Sequence, residues 1–98
     1  MITKTSIPTG ASATKIAEAS WRHWFVVQNL SDTDLWLALD GSADVTTDAG
    51  AKPGLKVAAG ARLGSGELGL NEAAPGFRGP FFAVHAGGAA KSVVVHEV

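Results

Sequence analysis

The sequence contains no cysteine and no tyrosine, has few charges and no long apolar run, and each shortage closes a class of explanation. Without cysteine there is no disulfide, no thiolate zinc site and no cysteine nucleophile. Compartment stays open, because a cysteine-free chain folds in either redox setting. The longest apolar stretches, residues 24–27 and 35–39, fall far short of the roughly 20 residues that a membrane-crossing helix needs. Residues 1–10 carry one lysine and no following apolar run, so no secretion signal is expected and the chain reads as a soluble protein made in the cytosol. Charged residues make up 17%, below the roughly 25% of ordinary soluble domains. The net charge is −1 and the eight basic residues are scattered, whereas binding to phosphate backbones needs clustered Lys and Arg. Neither nucleic acid nor an anionic membrane is an expected partner.

What the sequence does hold is strand signal. Ninety-eight residues suit one domain spanning 1–98, with a modest core. A hydrophobic fraction of 46% on so short a chain leaves apolar surface for contact with other subunits. Residues 1–7 alternate weakly and stop at Pro8-Thr9-Gly10; residues 13–19 read as a further strand. Residues 24–28 and 35–39 flank the polar turn 29–34, and Asp40-Gly41 closes the unit as a meander. Leu35, Leu37 and Leu39 share one face, predicted to be core, with Trp36 and Ala38 on the other. Two short strands are expected around residues 58–60, and residues 81–85 and 92–98 flank Gly87-Gly88 as a terminal hairpin. Residues 64–79 are the longest aperiodic stretch and are expected to reach out from the domain. Seven or eight short antiparallel strands without a helix predict an all-β chain, a single β-sandwich of jelly-roll-like form.

The terminal hairpin gives the sharpest expectation about surfaces. With Gly87-Gly88 at the turn, Phe82, Val84, Val93 and Val95 share one face, and Phe81, Ala83, Val94 and Val98 the other. An antiparallel sheet packed from one side should show one polar face, so something must cover the second. Either residues 64–79 fold across it with Phe77, or a neighbouring subunit does. Trp36, opposite its own leucine face, favours the subunit. The candidate interface residues are therefore Trp21, Trp36, Phe77, Phe81 and Val94.

Residues able to carry chemistry are few. His85 and His96 share a face in that register but lie about six strand positions apart, on the order of 20 Å, too far to share a metal. His23, beside Trp21 and Trp24, reads as a surface residue. Asp32 and Asp34 resemble part of a calcium loop without its remaining ligands, and turn chemistry accounts for them and for Asp44 and Asp48. Glu67 and Glu72 lie in the long aperiodic stretch, with no partner arrangement to suggest glycoside cleavage. Residues 64–69 match Gly-x-Gly-x-x-Gly with no helix pattern following, and no serine sits in a nucleophile elbow. No catalytic residue, metal or cofactor is expected. The three tryptophans could stack on sugars, but the lack of tyrosine favours a core or interface role.

The run from Trp24 to Leu39, followed by a Gly/Ala-rich loop and Val57-Ala58-Ala59-Gly60, resembles small structural proteins of tailed bacteriophages, as does the closing strand. The resemblance covers roughly residues 24–63 and the C-terminal strands. It implies a virion component, synthesised in the host cytoplasm: a jelly-roll head-decoration (cement) protein or a small fibre or adaptor module, commonly a trimer. The expected partners are further copies of the chain and a major capsid protein or other virion protein. The alternative is a receptor- or carbohydrate-binding module of a tail fibre.

Overall fold

Short alternating segments become strands wherever one set of side chains can be buried. The computed structural model describes residues 1–9, 12–65 and 78–98. Its strands are β1 (Ile2–Ile7), β2 (Thr14–Ala17), β3 (Phe25–Asn29), β4 (Leu35–Ala38), β5 (Leu55–Val57), β6 (Arg62–Gly64), β7 (Phe81–Val84) and β8 (Lys91–Glu97). They form two four-stranded sheets, ordered β1-β8-β3-β6 and β2-β7-β4-β5, and every pairing within them is antiparallel. The described residues contain no α-helix. The all-β expectation holds.

Alternation decides what each sheet turns inward. Phe25 and Val27 of β3 and Val93 and Val95 of β8 are fully buried, while Val26, Gln28, Val94 and His96 between them are only half-buried. Leu35 and Leu37 of β4 and Phe81 and Ala83 of β7 are the buried set of the second sheet. Both sets join one apolar cluster, and the rings of Phe25 and Phe81 meet between the sheets, edge to face, with centroids 4.9 Å apart. Such a ring pair adds about 0.5–1.5 kcal/mol to the area that it buries. The leucine face of β4 is core, as the alternation predicts.

The connections differ from the sequence-based expectation. The terminal hairpin does not form: β7 lies in the second sheet between β2 and β4, and β8 lies in the first between β1 and β3. Residues 24–28 and 35–39 likewise belong to opposite sheets, and so do the short strands on either side of residues 58–60. Each predicted hairpin is a corner that carries the chain from one sheet to the other. At the last corner the backbone is held by His85, whose Nε2–H donates to Ile7 O (3.0 Å) while its Nδ1 accepts from Gly87 N–H (3.0 Å). These bonds turn the chain away from β7, and Lys91 then pairs with Ile7 of β1. Among the described strands only β4 and β5 are both consecutive and paired, and their connection is the irregular stretch 39–54.

That connection packs on the outer side of the second sheet. Trp36, Ala38, Phe82 and Val84 line the outer side of the second sheet, and Val45, 4% exposed, packs with them in a small second core. Residues 39–54 thus cover part of this face through Val45, and Ala13 packs against the same cluster. The longer stretch proposed for this role falls, over residues 66–77, outside the described residues.

Candidate interaction surface

The buried polar side chains hold the fold together. Arg22, 5% exposed, lies at the end of the two-sheet stack. Its Nε donates to Glu97 Oε2 (2.6 Å), Nη1 to Gly79 O (2.9 Å) and Nη2 to Glu18 O (2.6 Å), and its guanidinium lies 3.9 Å from the Phe81 ring centroid. Asn29, with no exposed surface, donates to the carbonyls of Thr33, Val57 and Ala58 and accepts from Ser31 N–H and Oγ–H. It ties the β3–β4 corner to the end of β5. His85, 2% exposed, bridges β1 to the β7–β8 corner. Its neutral tautomer with the proton on Nε2 follows from those two bonds.

Most surface charges pair locally. Lys15 pairs with Glu18, Lys52 with Asp44, Lys56 with Asp34 and Lys91 with Asp32. Hydrogen bonds from Lys91 and Thr33 hold the Asp32 carboxyl below its usual value, and bonds from Ser42 do the same for Asp40. Lys52 likewise lowers Asp44 by hydrogen bonding, and Asp44 raises Lys52 in return. The lowered Asp44 contributes above its usual 3.8, and that contribution is lost as pH falls through the lower folded value. The raised Lys52 contributes below its usual 10.5, and that is lost as pH rises through the higher folded value. The clamp on the 39–54 connection thus holds across the whole neutral range. Lys52→Ala is expected to return the Asp44 titration midpoint towards 3.8, read from its carboxyl carbon shift. Global stability should barely move, since the pair is exposed.

Gly54 fixes how closely that connection approaches β4. A Cβ there would lie 2.5 Å from Leu37 O, 2.7 Å from Leu37 N and 2.7 Å from Val45 Cγ2. Two of those atoms are backbone and cannot step aside. Gly54→Ala is therefore expected to cost about 1–3 kcal/mol and to expose Val45, seen as lowered urea resistance and faster amide exchange across residues 39–54. Unchanged unfolding midpoints would contradict this close packing. Beside it, Leu39, Val45, Pro53 and Leu55 line an open groove of about 770 Å³, with Asp40 and Lys52 among its polar residues.

The candidate interface residues scatter. Trp21 is 77% exposed, with the Arg78 guanidinium 3.2 Å from its ring centroid. Trp36 is half-buried on the covered outer side of the second sheet. Phe81 lies fully inside the core, a correction that follows from β7 facing the first sheet rather than pairing with β8. Val94 is half-buried on the outer face of the first sheet. Phe77, like Glu67 and Glu72, lies outside the described residues. His85 points into the fold and His96 lies on the outer side of the other sheet, so their predicted common face does not exist. Among the described residues no group of three or more His, Asp or Glu is placed to hold a metal ion.

The outer face of the first sheet is a surface that the sequence reading passed over. In register, Ile2, His96, Val26 and Gly64 form one row across it, and Lys4, Val94, Gln28 and Arg62 the next. Trp24 and Val98, which exchange backbone hydrogen bonds, extend it at one end, and Leu30, bonded to Ser92 O, at the other. Ile2 (68%), Val98 (58%), Leu30 (49%) and Trp24 (40%) are its most exposed apolar side chains. Alternation along β3 and β8 marks these residues as outward. Only the strand partners show that they lie side by side.

No family model matches the chain, and neither a curated protein nor a solved structure matches it.

Proposed function

We propose that the chain is a jelly-roll packing module of a virion, of the head-decoration (cement) type. In this reading it associates with further copies, as a trimer, and binds the major capsid lattice. The observation that carries the reading is the strand order. Sheets β1-β8-β3-β6 and β2-β7-β4-β5, linked by repeated crossings between them, support a jelly-roll reading, in which eight strands form two interlocked Greek keys. Viral capsid proteins and lectins use that architecture. Fold alone does not fix function, so the virion assignment leans on the resemblance of residues 24–63 to phage structural proteins and on the apolar surface of the first sheet. The buried arginine, asparagine and histidine fit a scaffold whose polar side chains serve its own backbone. The test is the mass in solution and in purified particles: about three times the 10.0 kDa chain mass is expected, with copurification on capsids. A strict monomer that never joins capsids would sink the proposal.

One observation favours a second reading, a carbohydrate-binding module of a tail fibre. Trp21 is largely exposed, and Arg78 steadies its ring from one side while the other stays open to a sugar. Saturable glycan binding lost in Trp21→Ala would select this reading over the first.

A further inference from the structure

The charges of this protein are distributed unevenly between its two sides. Five of the eight basic residues are in ion pairs: Lys15, Arg22, Lys52, Lys56 and Lys91. Among the described residues, Lys4, Arg62 and Arg78 are in none. Arg78 stacks on Trp21. Lys4 and Arg62 occupy the two ends of one row across the first sheet, Lys4–Val94–Gln28–Arg62. Three strand spacings separate them, on the order of 14 Å. No strand residue on that outer face is acidic. The acidic residues Asp40, Asp44 and Asp48 instead lie in the 39–54 connection, which covers the other sheet.

From this we infer that the outer face of the first sheet is a docking surface for an acidic protein surface, carboxylates meeting Lys4 and Arg62 around an apolar centre at Val94, Val26 and Ile2. The inference rests on the packing-module reading but not on which assembly the module serves. Exposed apolar side chains beside unpaired cations are what such a partner would cover, since charge complementarity steers and orients docking. A second copy fits less well. Packing this face against itself would set Lys4 and Arg62 against like charges. Packing it on the acidic connection of another copy joins opposite sides of the molecule, and such a contact grows as an open stack instead of closing a ring. Nucleic acid also fits poorly, because two cations this far apart, with Val94 and Gln28 between them, do not track a phosphate backbone.

The experiment is an NMR titration of the full chain with a soluble peptide of alternating glutamate and valine. Its lysine–valine counterpart and a short DNA duplex serve as comparison probes. Expected are amide shifts confined to β1, β3, β6 and β8 with the acidic peptide, weakening as salt rises. The double variant Lys4→Glu/Arg62→Glu should lose about tenfold or more in affinity. The variant Lys52→Glu/Lys56→Glu, on the opposite side, should bind as well as the parent. Both doubles change exposed side chains, and a native amide spectrum verifies that they fold. Absent shifts, shifts centred on residues 39–54, equal binding of the lysine peptide, or preference for DNA would each overturn the inference. So would self-association that Lys4→Glu/Arg62→Glu abolishes, because the occupant would then be a second copy. No virion enters this titration, so its failure leaves the decoration reading to its own test.

Discussion

Replacing Arg22 with methionine is expected to cost about 3–5 kcal/mol of folding stability and to lower the thermal midpoint by roughly 15–30 °C. The size of the effect comes from what stays behind. Glu97 is only 7% exposed, so losing the guanidinium 2.6 Å from its Oε2 strands a carboxylate in a poorly solvated place. The carbonyls of Gly79 and Glu18 lose their donors in the same step, and the Phe81 ring loses the cation over its face. Three chain segments that meet at this corner lose the one side chain that bonds to all of them: the linker after β2, the residues before β7 and the end of β8. Lysine would not substitute. It has one nitrogen where three nitrogens of a planar fork reach three separate acceptors, so Arg22→Lys should recover little.

A companion variant separates charge burial from simple loss of packing. Removing both charges, as Arg22→Met/Glu97→Leu, abolishes the stranded carboxylate, and replacing a buried pair by apolar groups is often near neutral. The double variant is thus expected to be more stable than Arg22→Met alone, by about 1–3 kcal/mol in urea unfolding. If Arg22→Met stays within about 1 kcal/mol of the parent, the bridge adds little and the corner is held by other contacts.

The strands of this fold are legible in the sequence, but its topology is not. Leu35, Leu37 and Leu39 announce an inward face, and Val93 and Val95 announce another, because burial repeats every second residue. A hairpin and a corner between sheets satisfy that rule equally. Residues 81–85 and 92–98 would each keep an inward apolar row either way. What separates the two outcomes is non-local. His85 bonds a carbonyl 78 residues away in β1, and β8 finds its partners in β1 and β3. The glycines at 87 and 88 supply a turn without specifying its geometry. The same ambiguity reaches the interface, since a terminal hairpin would set Phe81 and Val94 side by side on one face awaiting a cover. The structure instead puts Phe81 at the centre of the core and Val94 outside on the other sheet. The packing of Val45 against the outer side of the second sheet is hidden for the same reason, because the irregular stretch 39–54 carries only that one buried valine to betray it.

Asn29 shows how one side chain can specify such a corner, and its replacement by aspartate should be nearly as damaging as the loss of Arg22. The amide nitrogen lies 2.7, 3.1 and 3.2 Å from the carbonyl oxygens of Thr33, Val57 and Ala58. Two N–H groups serve three acceptors, so at least one bond is shared. The amide oxygen accepts from Ser31 N–H (2.9 Å) and Ser31 Oγ–H (2.7 Å), closing the turn that sends the chain from β3 to β4. Aspartate has nearly the same shape but points an oxygen, at neutral pH a charged one, at three carbonyls in a fully buried site. Alanine removes the bonds and leaves the carbonyls unpaired, at about 1–3 kcal/mol. Aspartate adds repulsion and the burial of a charge, so Asn29→Asp is expected to cost about 3–5 kcal/mol. Urea unfolding at pH 7 should therefore rank parent, Asn29→Ala and Asn29→Asp in falling order of stability. The gap between the two variants should narrow as the pH falls towards the ordinary aspartate value near 4, because burial and the facing carbonyls raise the new carboxyl and it takes up its proton above that value. An Asn29→Asp protein as stable as Asn29→Ala at pH 7 would mean that solvent reaches this corner, and the bracket between β3 and β5 would then be open in solution.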